Sequence, residues 1–215
     1  MSRAASTQLG WIPSSAEALP INQRMWTTRS LDEHVGLIKR QVDRSLSDGE
    51  TRRLAVRIVS GTFDHVRDSR SGKEQVVVRA FGRNFLAPGG KVCKPRDEEC
   101  EIEKIWDFVV LNVRYVYDPA EVDTFVTLKE TLLMGGGDCD DSVVAFAALL
   151  KAIGFQIIGR VISTQDDPDR PVHIYPLVGL PKDNPKRWVP LDMTVAGATP
   201  GWQYEGIAQK ADYVL

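Results

Sequence analysis

Residues 135–141 read Gly-Gly-Gly-Asp-Cys-Asp-Asp and lead directly into an apolar stretch from Val143 to Ile153. Three glycines favour a loop, and the apolar stretch predicts a buried helix that ends at Gly154. Cys139 therefore lies where a loop turns into the N-terminus of a helix. The backbone N–H groups and the positive end of the helix dipole at that place both favour a thiolate. These features make Cys139 the candidate reactive residue.

A cysteine at such a position can also be a small structural residue of the core, so its interpretation depends on partners. His173 and Asp192 follow it, each inside a segment that reads as a strand. An imidazole can take the proton of a thiol, and a carboxylate can fix the tautomer of that imidazole. The chain has only 3 histidines, so few alternatives compete.

Several motifs in the second half of the chain occur in an order that is typical of one family. They are Asn112-Val113-Arg114-Tyr115-Val116-Tyr117-Asp118, Glu130-Thr131-Leu132, Gly135 to Asp141, Leu149 to Phe155, His173-Ile174-Tyr175 and Trp188-Val189-Pro190-Leu191-Asp192. Together they resemble the transglutaminase-like superfamily, a branch of the papain-like cysteine enzymes. The phrase around Tyr115 is most similar to small versions encoded among bacteriophage structural genes.

The resemblance implies that Cys139 is the nucleophile, His173 the base and Asp192 the residue that orients the base. It also implies an α+β, papain/transglutaminase-like fold, in which the buried helix that bears the nucleophile packs against an antiparallel β-sheet. The second oxyanion donor stays open among Asn112, Tyr115 and Trp106.

Three segments are the candidate strands of that sheet: residues 155–163, 172–180 and 187–195. Pro176 falls inside the second of them. Because proline donates no ladder hydrogen bond, we expect this strand to lie at an edge of the sheet or to be bulged.

Asp138, Asp140 and Asp141 surround the cysteine with negative charge. Carboxylates suit a helix start but oppose a thiolate, so an ion pair with His173 would have to supply much of the activation. The acids lack the glycine and distal glutamate of a calcium loop, and neither a histidine nor a second cysteine stands at zinc spacing. We therefore expect no metal and no cofactor.

Composition limits the classes of partner. A chain of 215 residues with a net charge of −2 offers no long-range attraction for nucleic acid or for an anionic membrane. It contains no apolar run long enough to span a bilayer, and residues 1–13 lack the apolar core of a signal peptide. The expected location is the cytoplasm of a bacterial host or a phage particle.

Cys93 and Cys100 are expected to be two reduced loop thiols, with a small disulfide loop as the alternative.

The chain divides into four predicted parts. Residues 1–30 form an extended N-terminal arm, residues 31–100 a mainly helical extension with loops, residues 101–200 the transglutaminase-like core, and residues 201–215 a C-terminal tail. Within the extension, apolar residues at helical spacing predict a helix from Leu31 to Leu46 after a Ser30 cap, and a second short helix follows at residues 52–59.

Two functions are compatible with these observations. The first is a cysteine-nucleophile enzyme that acts on amide bonds of a peptide or protein substrate, as a peptidase, an amidase or a transglutaminase-type acyltransferase. The second is a non-catalytic structural or assembly protein, such as a virion component, that retains the fold. Its partners would bind the arm, through Trp11 and Trp26, and the C-terminal tail. Three retained triad residue types favour the enzyme.

Overall fold

The computed structural model describes residues 30–69, 71–118 and 124–215. The predicted arm, with Trp11 and Trp26, lies outside these residues except for Ser30. The elements of the described part are α1 (Leu31–Ser47), α2 (Gly49–Ser60), β1 (Asp64–Arg67), β2 (Glu74–Ala80), β3 (Arg83–Leu86), α3 (Glu98–Asn112), β4 (Arg114–Tyr115), α4 (Leu128–Met134), β5 (Gly136–Gly137), α5 (Cys139–Ala152), β6 (Ile157–Thr164), β7 (His173–Leu180), β8 (Arg187–Pro190) and β9 (Ile207–Val214). The predicted α+β class is confirmed.

Local sequence signals account for the two N-terminal helices. The Ser30 side chain accepts from the backbone of Glu33, and the Glu33 side chain accepts from the backbone of Ser30, which forms a capping box at the start of α1. The Asp48 side chain caps α2 by accepting from the backbone N–H of Glu50, and Gly61 ends the helix in a left-handed conformation with φ of 66°. Both predicted helices are confirmed.

The central helix is α5, which is apolar on nearly every side. Its residues from Cys139 to Leu150 are all buried. Helices α1, α2, α3 and α4 contact it, and β7 lies against it. A helix of this kind is stable only when neighbours cover it all round, so α1 and α2 belong to the same hydrophobic core as the sheet.

The main sheet has four antiparallel strands in the order β8-β7-β6-β9. The expectation that the strand containing Pro176 lies at an edge or is bulged is therefore wrong, since β7 lies between β6 and β8 and pairs with both in continuous register. Pro176 is tolerated there because its carbonyl faces Leu191, one residue beyond the end of β8. The missing N–H falls where the ladder to β8 stops.

Part of the predicted C-terminal tail is a strand of this sheet. Residues Ile207–Val214 form β9, which pairs with β6 from Ile158 to Thr164. The backbone N–H of Leu215 also donates to Ile157. Strand β9 is an outer strand of the sheet, and most of its side chains are exposed.

A smaller antiparallel sheet, β1-β2-β3, lies in the predicted helical extension. The loop that follows it is tied to α3 by a disulfide between Cys93 and Cys100, so the expectation of two reduced thiols is wrong. Cys100 lies in the first turn of α3, and that helix start brings the two Cα atoms within 5.5 Å, a normal disulfide separation.

Among the described residues, none of the helices has the length and apolar character needed to cross a membrane.

Candidate active site

Cys139 is the first residue of α5, directly after the cap residue Asp138. The Asp138 carboxylate accepts from the backbone N–H of Asp140 at 3.1 Å, so this acid has the helix-start role predicted for it. The preceding glycines pair with β4: Gly136 and Gly137 run parallel to Arg114 and Tyr115.

Gly137 has a steric reason to be a glycine. A Cβ at this position would lie 2.5 Å from the Cβ of Asp141. The close packing of the loop on the first turn of α5 therefore excludes larger residues here.

His173 and Asp192 form a buried pair at one end of the sheet. His173 opens β7, and its Nε2 lies 2.9 Å from Oδ2 of Asp192, which follows β8. The other oxygen of Asp192 accepts from the backbone N–H of Thr194 at 3.1 Å and from its hydroxyl at 2.7 Å. Because Asp192 occupies Nε2, the nitrogen that can serve a thiol is Nδ1.

The electrostatics of this pair favour a charged carboxylate. Burial by itself would raise the pKa of Asp192, but the charge of His173, its hydrogen bond and the two bonds from Thr194 outweigh burial and lower the pKa. Asp192 is therefore ionised near neutral pH and can stabilise an imidazolium at His173.

Cys139 lies next to β7 at Ile174, the residue directly after His173. The backbone N–H of Ile174 interacts with the sulfur and favours the thiolate. The first turn of α5 and the first residues of β7 are thus brought together, although Cys139 and His173 are far apart in sequence. Cys139, His173 and Asp192 all lie at this junction.

The thiol itself is deeply buried, with 1% of Cys139 exposed. Burial raises the pKa of the Cys139 thiol well above its ordinary value, and Asp140 and Asp138 raise it further against the opposing effect of Ile174. The helix dipole that the sequence emphasised is therefore outweighed in this conformation. Formation of a thiolate requires additional positive charge next to the sulfur.

The three acids around Cys139 have separate structural roles. Asp138 caps α5, and Asp141 accepts from the backbone N–H of Val126 at 3.2 Å, just before α4. Oδ2 of Asp140 is hydrogen-bonded to Nε2 of His34 on α1 at 2.7 Å, and both residues are 0% exposed. Burial and the neighbouring acids raise the pKa of Asp138 to about 9, so this residue is neutral at pH 7.

His34 was missed as a site residue when the sequence was considered alone. The available signal was its place in α1: it stands three residues after Leu31 and four before Ile38, on the apolar stripe of an amphipathic helix. A histidine on such a stripe needs a buried polar partner. That partner, Asp140, is 106 positions away, so the helix itself does not identify it.

Ligand atoms of Asp138, Cys139 and Asp140 lie within 4.8 Å of one another. Calcium takes six to eight oxygen ligands, and structural zinc takes four ligands that are mainly sulfur or imidazole nitrogen. The carboxylates of this trio serve a helix cap and a bond to His34. We therefore interpret the trio as the start of α5.

Two of the three candidates for a second oxyanion donor have other roles. The Asn112 side chain donates to Leu86 and Phe108 and accepts from Leu86, so it anchors β3 to α3. Trp106 stacks on Phe146 in the core with ring centroids 5.5 Å apart. Tyr115 is the candidate near the sulfur, because burial and the charge of Cys139 both raise its pKa and keep its hydroxyl protonated.

Comparison with known proteins supports this description. Residues 90–193 match the family model described as the transglutaminase-like superfamily, and this segment contains the three candidate triad residues. No curated protein and no solved structure gives a significant match to the chain.

Proposed function

The chain carries a domain of the transglutaminase-like superfamily, and we propose that it uses this domain as a cysteine-nucleophile enzyme acting on amide bonds. Cys139 would be the nucleophile, His173 the base and Asp192 the residue that orients His173. The observation that carries the proposal is the buried His173–Asp192 pair, with Nε2 and Oδ2 at 2.9 Å, at the start of the strand whose next backbone amide faces the sulfur of Cys139.

The proposed reaction is a double displacement through a thioester. Nδ1 of His173 takes the proton of the Cys139 thiol, and the sulfur attacks the amide carbonyl carbon. The carbonyl oxygen becomes an oxyanion, which the positive end of α5 and the Tyr115 hydroxyl would stabilise. His173 then gives the proton to the leaving amine, and the C–N bond breaks.

The second half of the reaction regenerates the enzyme. His173 removes a proton from water or from an incoming amine, and that nucleophile attacks the thioester carbonyl. Collapse of the intermediate breaks the C–S bond, and the proton on His173 returns to the thiolate. Water makes the protein a peptidase or amidase, whereas an amine makes it a transglutaminase-type acyltransferase. The peptide or protein substrate would reach the sulfur only after the residues that bury Cys139 move aside.

A non-catalytic structural or assembly role is the second candidate function. The observation in its favour is the burial of the Cys139 thiol together with the rise of its pKa. In that role the arm of residues 1–30 and the C-terminal residues would bind partners in an assembly.

The deciding experiment is a pH titration of the Cys139 thiol. Because Cys93 and Cys100 are joined in a disulfide, Cys139 is the remaining thiol, and iodoacetamide without reductant labels it selectively. Wild type should show a labelling transition well below pH 8 that is lost in His173→Ala. His65→Ala is the matched control, since His65 forms an exposed pair with Glu74.

Absorbance of the thiolate near 240 nm, taken as the difference from Cys139→Ser, gives the same titration without requiring access of a reagent to the sulfur. Equal titration curves for wild type and His173→Ala by both methods would rule out an activated pair and favour the assembly role.

A further inference from the structure

A second buried histidine–carboxylate pair lies beside the candidate nucleophile. His34 belongs to α1, outside the segment that matches the family model, and Asp140 is the residue directly after Cys139. Their Nε2 and Oδ2 atoms are 2.7 Å apart, and both side chains are fully buried. Histidine and aspartate side chains are rarely placed in a core unless they are paired.

The Asp140 carboxylate lies between this imidazole and the thiol. Its Oδ2 faces His34, whereas its Oδ1 lies 3.8 Å from Sγ of Cys139. The carboxylate is close enough to the sulfur for its charge to affect ionisation, and Asp140 follows burial as a cause of the raised pKa of Cys139. Any group that offsets the charge of Asp140 therefore makes the thiolate easier to form.

Within the part of the chain that the structure describes, the other titratable groups that act on the sulfur do not provide that offset. Asp138 and Asp192 add negative charge in their ionised forms, and Tyr115 and Tyr117 are neutral near pH 7. His173 belongs to the proposed triad, where it is paired with Asp192. His34 lies on the other side of Asp140, and in its protonated form its imidazolium would offset the charge of that carboxylate.

Packing of α1 on α5 does not require a histidine at this place. The apolar stripe of α1 already provides Val35, Ile38 and Val42, all buried against the core. An apolar residue at position 34 would extend the stripe without the cost of burying an imidazole. His34 is therefore explained by its bond to the Asp140 carboxylate and not by the packing of α1 on α5.

We propose that His34 is a positioning residue for Cys139: it holds the Asp140 carboxylate beside the thiol and offsets its negative charge, so that the nucleophile can ionise. This inference rests on the proposed function only in taking Cys139 as the nucleophile. It implies that α1, which belongs to the helical extension, contributes a residue that affects the ionisation of Cys139.

The test is a double-mutant cycle with His34→Gln, Asp140→Asn and the double variant, read by thiolate absorbance and by iodoacetamide labelling from pH 6 to pH 9. Glutamine can donate to Asp140 but carries no charge. We expect His34→Gln to raise the thiol pKa by about 1, which slows labelling about tenfold at a given pH below it. Asp140→Asn should lower the thiol pKa.

The double variant separates charge compensation from general disturbance. With the carboxylate removed, the charge of His34 has nothing to offset, so the double variant should titrate like Asp140→Asn alone. An equal shift from His34→Gln in both backgrounds, or no shift in either, would overturn the inference. If His34→Gln fails to fold, Asp140→Asn alone decides, because an unchanged or raised thiol pKa in that variant contradicts the proposal.

Ile38→Val is the matched structural control, since it loosens the same face of α1 next to His34 without changing charge. It should lower the melting temperature and leave the thiol titration unchanged. The result is also independent of the triad: His173→Ala tests the proposed function, whereas the cycle measures the effect of His34 on Cys139 whether or not His173 activates it.

Discussion

The two buried histidine–aspartate pairs have similar geometry but lie in different structural contexts. His173 and Asp192 are 19 positions apart and belong to neighbouring parts of one sheet, whereas His34 and Asp140 are 106 positions apart and join α1 to α5. In the first pair the imidazole is the partner that the proposed triad assigns to the thiol; in the second, a carboxylate oxygen lies 3.8 Å from the sulfur. Under the two proposals, pairs of similar geometry have opposite electrostatic effects, depending on which partner faces the sulfur.

The largest expected effect is the loss of catalysis in Asp192→Asn. Without the carboxylate, the tautomer and the charge of His173 are no longer supported, so the rate should fall by about 10³-fold to 10⁴-fold. The measurement is the burst of p-nitrophenol from p-nitrophenyl acetate, which reports acylation of Cys139. Asp140→Asn removes the acid of the other pair and is expected to lower the thiol pKa, so it should not slow the burst. Asp212→Asn, at a partly exposed acid that is paired with Arg160, is the neutral control. Equal losses in Asp192→Asn and Asp140→Asn would show that the two pairs have the same role.

The next effect concerns stability, because removing one partner of a buried pair leaves the other in the core. We expect His34→Ala to lower the free energy of unfolding by about 3–5 kcal/mol. Urea unfolding followed by circular dichroism provides the measurement. His65→Ala, which removes an exposed pair, should cost no more than about 1 kcal/mol. A loss of that small size in His34→Ala would mean that α1 is not held by this bond.

A third effect separates Asp138 from the two paired acids. Its folded pKa is raised to about 9, above the ordinary value of an aspartate, so its contribution to stability is complete at acidic pH and is lost as pH rises toward 9. Between pH 6 and pH 8, wild type should lose up to about 3 kcal/mol of stability that Asp138→Asn retains. Urea unfolding at several pH values tests this difference. Parallel profiles for the two proteins would mean that Asp138 is ionised in the folded state.

The smallest effect tests the support of Asp192. Thr194→Val removes the hydroxyl bond to Oδ1 and leaves the backbone bond, which should cost about 1 kcal/mol and slow the p-nitrophenol burst about fivefold. Thr199→Val is the control, because Thr199 is exposed in the same loop. An unchanged burst in Thr194→Val would show that His173 and the backbone bond of residue 194 orient the carboxylate without the hydroxyl.

Local signals made α1 and α5 predictable, together with the main extent of β6 and β7. The Ser30–Glu33 capping box and the apolar residues after Cys139 are contained within short windows of sequence. The order of motifs also indicated the family domain, which is confirmed by the match at residues 90–193. The catalytic roles of Cys139, His173 and Asp192 stay predictions.

What could not be predicted depends on contacts between distant residues. Pro176 was interpreted as a sign of an edge or bulged strand, although β7 is a central strand and the missing N–H falls just beyond the end of β8. The sequence of β9 has no apolar alternation strong enough to show that it pairs with β6. His34 was overlooked because the residue that explains it lies on another helix. In each case the deciding fact is a position in the assembled sheet or helix pair.

The pairing of β9 with β6 has a practical consequence for the limits of the domain. A fragment cut to residues 90–193 would keep β6 and α5 but lose β9, α1 and α2. Strand β6 would then offer a bare row of backbone hydrogen-bonding groups, and the apolar surface of α5 would lose two of the helices that cover it. Such a fragment should aggregate when expressed, so the region recognised by sequence comparison is smaller than the unit that folds.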